Sequence, residues 1–183
     1  MSVTTQPLTG TFVADPIHSS LHFSISHMQV GTFRSSFDDL DMTVVADERG
    51  VRIEGRVEVA SLAIRNPPEF REHVLNGADF FDGENHPQIT FRADDVRLAD
   101  DGSLSGQGEL TIKGITRPVV ASGSYRPIVE DAFGSQRTAI ELNATLDRRD
   151  WDMDWQMPLP NGGDVLGHEV ELSAHIELVL QDA

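Results

Sequence analysis

His27 is the residue of greatest chemical interest in this chain. It closes the segment SSLHFSISH, in which Leu21, Phe23, Ile25 and His27 fall at every second position, so in a strand they share one face. An imidazole on an apolar face can hydrogen-bond a carbonyl, hydroxyl or phosphate of a ligand head group. The plainer reading is a core histidine satisfied by backbone or a nearby carboxylate, and at this level both stand. His18 and His22 share a strand face, but four residues at ~3.3 Å each part their Cα atoms by ~13 Å, too far to chelate one ion. Glu69 and His73, spaced i, i+4, could share an ion, though a surface pair is the commoner meaning. Asp150, Asp152 and Asp154 imitate the start of a calcium loop, yet Trp155 stands where that loop needs glycine, and no metal site is assigned. The chain has no cysteine, which removes disulfides, thiolate zinc and cysteine nucleophiles. It also has no G-x-S-x-G, H-E-x-x-H or P-loop pattern, so no catalytic residue is assigned.

The elements that must position these groups are strands, since period-two alternation recurs from end to end. Leu40, Met42, Val44 and Ala46 are followed, across D-E-R-G at 47–50, by Val51, Ile53, Gly55, Val57 and Val59, a hairpin pattern. Ile89, Phe91 and Ala93 lead through a bulge at Asp94 and Asp95 to Val96 and Leu98, and D-D-G at 100–102 turns the chain into Leu104, Gly106, Gly108, Leu110 and Ile112. Lys113 and Gly114 then turn it toward Val119, Ala121, Gly123 and Tyr125. Ile140, Leu142, Ala144 and Leu146 form one more strand, and Val170 to Leu180 the last; with a short piece at 10–14 the count is eight or nine. A short helix is expected over 66–77, with Asn66 as N-cap, Pro67 in the first turn and Asn76-Gly77 as its stop. From about Asp147 to Gly167 lies a long irregular segment whose Trp151, Met153, Trp155, Met157 and Leu159 argue against disorder.

Antiparallel strands with one apolar face build either two stacked sheets or one closed barrel. Glycines and alanines on the inward faces, Gly106, Gly108 and Gly123 among them, favour a barrel that encloses space; the competing reading is that they fit the taper and bends of a filled barrel. With 183 residues, 39% hydrophobic and 24% charged, one domain over 1–183 with a core of about 10–181 is expected. Fourteen Lys and Arg against 30 Asp and Glu give a net charge of −16, a field that repels nucleic acid and anionic lipid surfaces. The first fifteen residues lack the basic start and apolar run of a secretory leader, and no segment approaches the ~20 apolar residues of a membrane-spanning helix. The expectation is a cytoplasmic protein without stable membrane insertion.

Four ordered motifs narrow the fold. Asp15, His18, Ser19, Leu21, Phe23, Ile25 and His27 are followed by Gly31, Phe33 and Phe37; Arg71, Glu72, Val74 and Leu75 by Asp79, Phe80, Phe81 and Asp82, then His86, Pro87, Ile89 and Phe91; next comes L-T-I-K-G-I-T-R-P-V from Leu110 to Val119; last, L-D-R-R-D-W at 146–151 and P-L-P-N-G-G at 158–163. From about Thr11 to Leu180 the chain resembles the YceI-like family, lipocalin-like proteins regarded as binding polyisoprenoid or similar amphiphilic chains. Glu72 departs from the family's usual Asp, and D-M-D-W-Q at 152–156 replaces the G-L-N-W-N of many relatives. Within the shared motifs, Arg71, Asp79 and Arg148 are read as fixing loops near a barrel mouth rather than doing acid–base work.

The resemblance implies an all-β, antiparallel, eight-stranded lipocalin-like barrel with a short helix and a long loop near its mouth. It further implies a non-enzymatic carrier or store for a long-chain isoprenoid, such as a quinone or polyprenyl chain, with no cofactor required. The expected lining is Phe23, Ile25, His27, Val44, Ile53, Val57, Phe91, Gly106, Gly108, Leu110, Gly123, Ile140, Leu142, Leu172 and Ile176, with Trp151 and Trp155 at the entrance. The expected partner is a hydrophobic small molecule; whether barrel edges pair into a homodimer stays open. Two alternatives stand beside this reading: an enzyme using His27 and a carboxylate on a small hydrophobic substrate, and a filled barrel serving as an interaction module.

Overall fold

Each apolar stripe meets its neighbour across a hydrogen-bonded ladder. The computed structural model describes residues 8–181; the first seven residues, part of the segment read above for a leader, and the last two lie outside it. Strands β1 (Gly10–Ala14) and β2 (Ser20–His27) both run beside β11 (Leu166–Leu180), from Leu166 opposite His27 to His175 opposite Ser20, then from Leu178 opposite Ala14 to Leu180 opposite Phe12. They form one interrupted strand. Strands β3 (Gly31–Phe37), paired with β2, and β4 (Leu40–Asp47), paired with β1, form a second. Strands β5 (Gly50–Glu58), β6 (Gln88–Leu98), β7 (Ser103–Ile112), β8 (Ile115–Tyr125) and β10 (Gln136–Asp147) continue the antiparallel order, with β9 (Val129–Glu130) a two-residue addition on β10. The β10–β11 ladder, Arg137 opposite Val179 through Asp147 opposite Glu169, closes an eight-stranded barrel.

The hairpins form where turn residues and alternation agree. Asp47 faces Gly50, and the Asp47 carboxylate accepts the Arg49 N–H at 2.8 Å, the local bond that makes aspartate a turn former. The β6 bulge lies where the two aspartates predict it, with the register slipping between Arg92 and Asp95. Strand β3 was not predicted: Ser35 sits between Phe33 and Phe37 on the same face and breaks the hydrophobic alternation. The helix α1 spans Pro68–Asn76, and its cap residue is Pro67, not Asn66. The carbonyl of Pro67 accepts from Phe70 and Arg71, while no side chain caps the helix.

The barrel is unequal along its axis. At one end Phe12, Val44, Ile53, Ile140 and Leu178 are at most 1% exposed and fill the interior. Toward the other end β8 and β10 pair only from Ser122 to Tyr125 against Asn143 to Ile140, so the start of β8 and the end of β10 diverge. Into this divergence comes Trp151, from the 3-10 turn Arg148–Trp151. Its ring is buried and its indole N–H donates to the Leu110 carbonyl at 3.3 Å, satisfying the one polar atom the ring takes out of water.

Candidate ligand-binding cavity

Beyond the filled end the lumen stays open. A cavity of about 660 Å³ is walled by β2, β3, β7, β11, α1, the turn at 78–82 and the loop at 152–165, a size within the ~300–1,000 Å³ of small-molecule sites. A smaller space of about 100 Å³ adjoins it deeper in the barrel, sharing Leu21, Ile89, Leu110 and Leu172. Of the predicted lining, Phe23, Ile25, His27, Leu110, Leu172, Trp151 and Trp155 border the larger cavity. Val57, Phe91, Leu142 and Ile176 border the deeper one, again with Leu110 and Leu172.

Six predicted positions border neither. Val44, Ile53 and Ile140 face inward but belong to the filled end. Gly106, Gly108 and Gly123 do not hold the lumen open; they let backbones approach. A Cβ on Gly108 would stand 2.6 Å from the Phe91 ring and from the Arg92 carbonyl, and one on Gly123 would overlap the Glu141 carbonyl. Close strand contact, not internal volume, is what these glycines provide.

An aromatic wall stands beside the predicted lining. Phe81 meets Phe37 with ring centroids 5.4 Å apart and Phe23 at 6.2 Å, while Phe70 of α1 meets Phe33 edge-on at 5.8 Å. Trp155 stacks on Phe80, and His73 contacts both rings edge-on, at 5.1 Å from Phe80 and 6.1 Å from Trp155. Phe33, Phe37, Phe70, His73, Phe80 and Phe81 all border the cavity. The signal that could have found them is the paired phenylalanine in D-F-F-D, too apolar for an exposed turn. His73 points to this cluster, and among the described residues it makes no ion pair with Glu69.

Basic side chains fix the mouth through backbone carbonyls. Arg71 donates to Ala60 at 2.6 Å and Leu62 at 3.3 Å; Lys113 donates to Ala78 at 2.5 Å and Asp152 at 2.7 Å. Arg148, only 4% exposed, donates to Gly167 at 2.9 Å, Trp155 at 2.8 Å and Met153, and burial pulls its pKa down. The side-chain amide of Gln156 donates to the Leu166 carbonyl at 2.8 Å, and its oxygen accepts the Leu166 N–H at 3.1 Å. Trp151 and Trp155 therefore differ: the first is a buried wedge, the second a partly exposed member of the mouth. Asp150, Asp152 and Asp154 are exposed and do not converge. Among the described residues Asp15, His18 and Glu177 do converge, but the Arg137 guanidinium already bridges Asp15 and Glu177.

A closed antiparallel barrel with an apolar lumen open toward one end is lipocalin-like in form. The YceI-like domain model matches residues 12–178, and the chain belongs to that family. The UPF0312 protein SA2479 of Staphylococcus aureus is 28% identical over 173 residues, covering 93% of this chain and 98% of its own length. Among solved structures, BcnA of Burkholderia cenocepacia has a TM-score of 0.70 at 19% identity over 90% of this chain and 98% of its own. A polyisoprenoid binding domain from Saccharophagus degradans, implicated in plant cell wall breakdown, has a TM-score of 0.71 at 11% identity over 93% and 98%. At these identities the likeness is one of fold.

Proposed function

We propose that this protein binds and carries a long-chain isoprenoid or similar amphiphile in the barrel lumen, without chemical change. The observation that carries the reading is the continuous apolar lining from the mouth at Phe33 and Trp155, past Leu110 and Leu172, to Leu142 and Ile176. Burial supplies the driving force at ~0.8 kcal/mol for each CH₂ removed from water, so a site with few polar groups selects for length and width. The polyisoprenoid binding named for the Saccharophagus neighbour agrees with this reading. An acid–base enzyme would need a carboxylate beside His27, and among the described residues no Asp or Glu borders the larger cavity. The test is displacement of an apolar fluorophore by prenyl alcohols of increasing length. Affinity should rise with each isoprene unit until the lumen is full; affinity independent of length would refute lumen binding.

A further inference from the structure

The apolar cavity contains one full charge. Arg148 borders it, is 4% exposed, and among the described residues lies within ion-pair distance of no carboxylate. Its three known hydrogen bonds go to the carbonyls of Met153, Trp155 and Gly167, which leaves two of the five guanidinium N–H groups without an acceptor in those bonds. The nearer carboxylates are committed elsewhere or face solvent: Asp147 binds Arg149, Asp164 is exposed and lies 3.7 Å from His168, and Asp154 is exposed. Three carbonyls fix the position of the guanidinium but do not cancel its charge, and a charge out of water gains most from an opposite charge.

The register sets the backbone of His27 beside the strand segment that Arg148 bonds. His27 pairs with Leu166, the neighbour of Gly167, whose carbonyl accepts from Arg148. The His27 ring borders the same cavity and has no hydrogen-bond partner among the described residues. His73, the remaining ionisable side chain of the lining, stands apart in the aromatic cluster at the mouth.

We propose that Arg148 and His27 form a subsite for an acidic head group, so that the lumen takes amphiphiles ending in a carboxylate or phosphate in preference to neutral ones of equal tail. The subsite rests on the lumen-binding reading above. The head would receive charge-assisted hydrogen bonds from Arg148 and one bond from His27, while the tail lies along Leu110, Leu172 and the aromatic wall.

The test compares two probes with one tail, geranylgeranoic acid and geranylgeraniol, each displacing the same fluorophore from the wild-type protein near neutral pH. The acid should bind about tenfold or more tighter, the size expected of hydrogen bonds to a charged group. Arg148→Gln should bring the ratio of the two affinities toward one, with both affinities free to change because Arg148 also ties Met153, Trp155 and Gly167 at the mouth, and Arg148→Lys, which keeps the charge and can fold where the Gln variant fails, should retain most of the preference. Equal affinity of the two probes for the wild type would overturn the subsite and leave the apolar lumen intact. Binding of neither probe would overturn both. A preference that survives intact in Arg148→Gln would remove Arg148 from the subsite.

Discussion

Trp155 lies flat on Phe80, ring centroids 5.6 Å apart and planes 29° from parallel, so the loop between β10 and β11 is closed against the turn that follows α1. The Trp155 backbone N–H also reaches the Asp79 carbonyl at 3.4 Å. The mouth is thereby made of two segments distant in sequence, held by a contact a ligand tail could part or cover.

The two tryptophans should separate experimentally. Trp155→Ala should speed release of a bound prenyl alcohol while costing little stability, because the side chain is at the mouth. Trp151→Ala should destabilise by ~3–5 kcal/mol, the usual range for an emptied aromatic site. Stopped-flow release and urea unfolding of both variants check this; equal effects on release would contradict the division of roles.

Replacing Gly123 with Leu should damage folding before it alters uptake, since even a Cβ overlaps the Glu141 carbonyl where β8 meets β10. Gly108→Leu should act in the same way to a lesser degree, its Cβ meeting the Arg92 carbonyl and the Phe91 ring at 2.6 Å, at a cost of ~1–3 kcal/mol. Thermal unfolding alongside fluorophore uptake measures both. Normal stability with blocked uptake would return these glycines to a lumen-keeping role.

How much was legible in advance follows from where the information resides. The hairpins at Asp47–Gly50 and Lys113–Gly114 could be read because turn chemistry and alternation coincide at each. Strand β3 could not, because Ser35 holds an inward position; its hydroxyl is the buried side-chain oxygen without a partner among the described residues. The lining from Phe23, Leu110 and Leu172 follows from alternation alone. Which half of the barrel stays open does not, since it depends on contacts between residues far apart in sequence, such as that of Trp151 with the Leu110 carbonyl. Position along the axis, invisible to a period-two pattern, is why Val44, Ile53 and Ile140 face inward yet touch no cavity.

Ser35→Ala should be neutral or stabilising by about 1 kcal/mol, because it removes a buried hydroxyl that makes no hydrogen bond. Chemical denaturation reads this directly. A clear loss of stability would mean that the hydroxyl has a partner in solution.

Acid stability should depend on Arg137. Its guanidinium bonds Asp15 at 2.7 Å, Asp131 at 2.7 Å and Glu177 at 2.6 Å, and with His18 it holds the Asp15 carboxyl well below the ordinary 3.8. Asp131 is lowered by the same guanidinium. A carboxyl depressed in the folded state contributes stability that is complete above its unfolded pKa and is lost as pH falls toward the folded value. Arg137→Met should therefore lower stability near neutral pH and flatten the decline below about pH 4. Urea midpoints across that range decide it; parallel curves for variant and wild type would contradict the linkage.

The most direct measurement is native mass spectrometry of the protein purified from its own host, followed by solvent extraction and identification of whatever it carries. We expect a stoichiometric adduct whose extract is a long-chain isoprenoid or similar amphiphile, reduced when Trp substitutions at Leu110 and Leu172 fill the lumen without unfolding the barrel. A protein that is uniformly ligand-free and takes up no prenyl chain when one is supplied, or an adduct indifferent to those substitutions, would contradict carriage in the lumen.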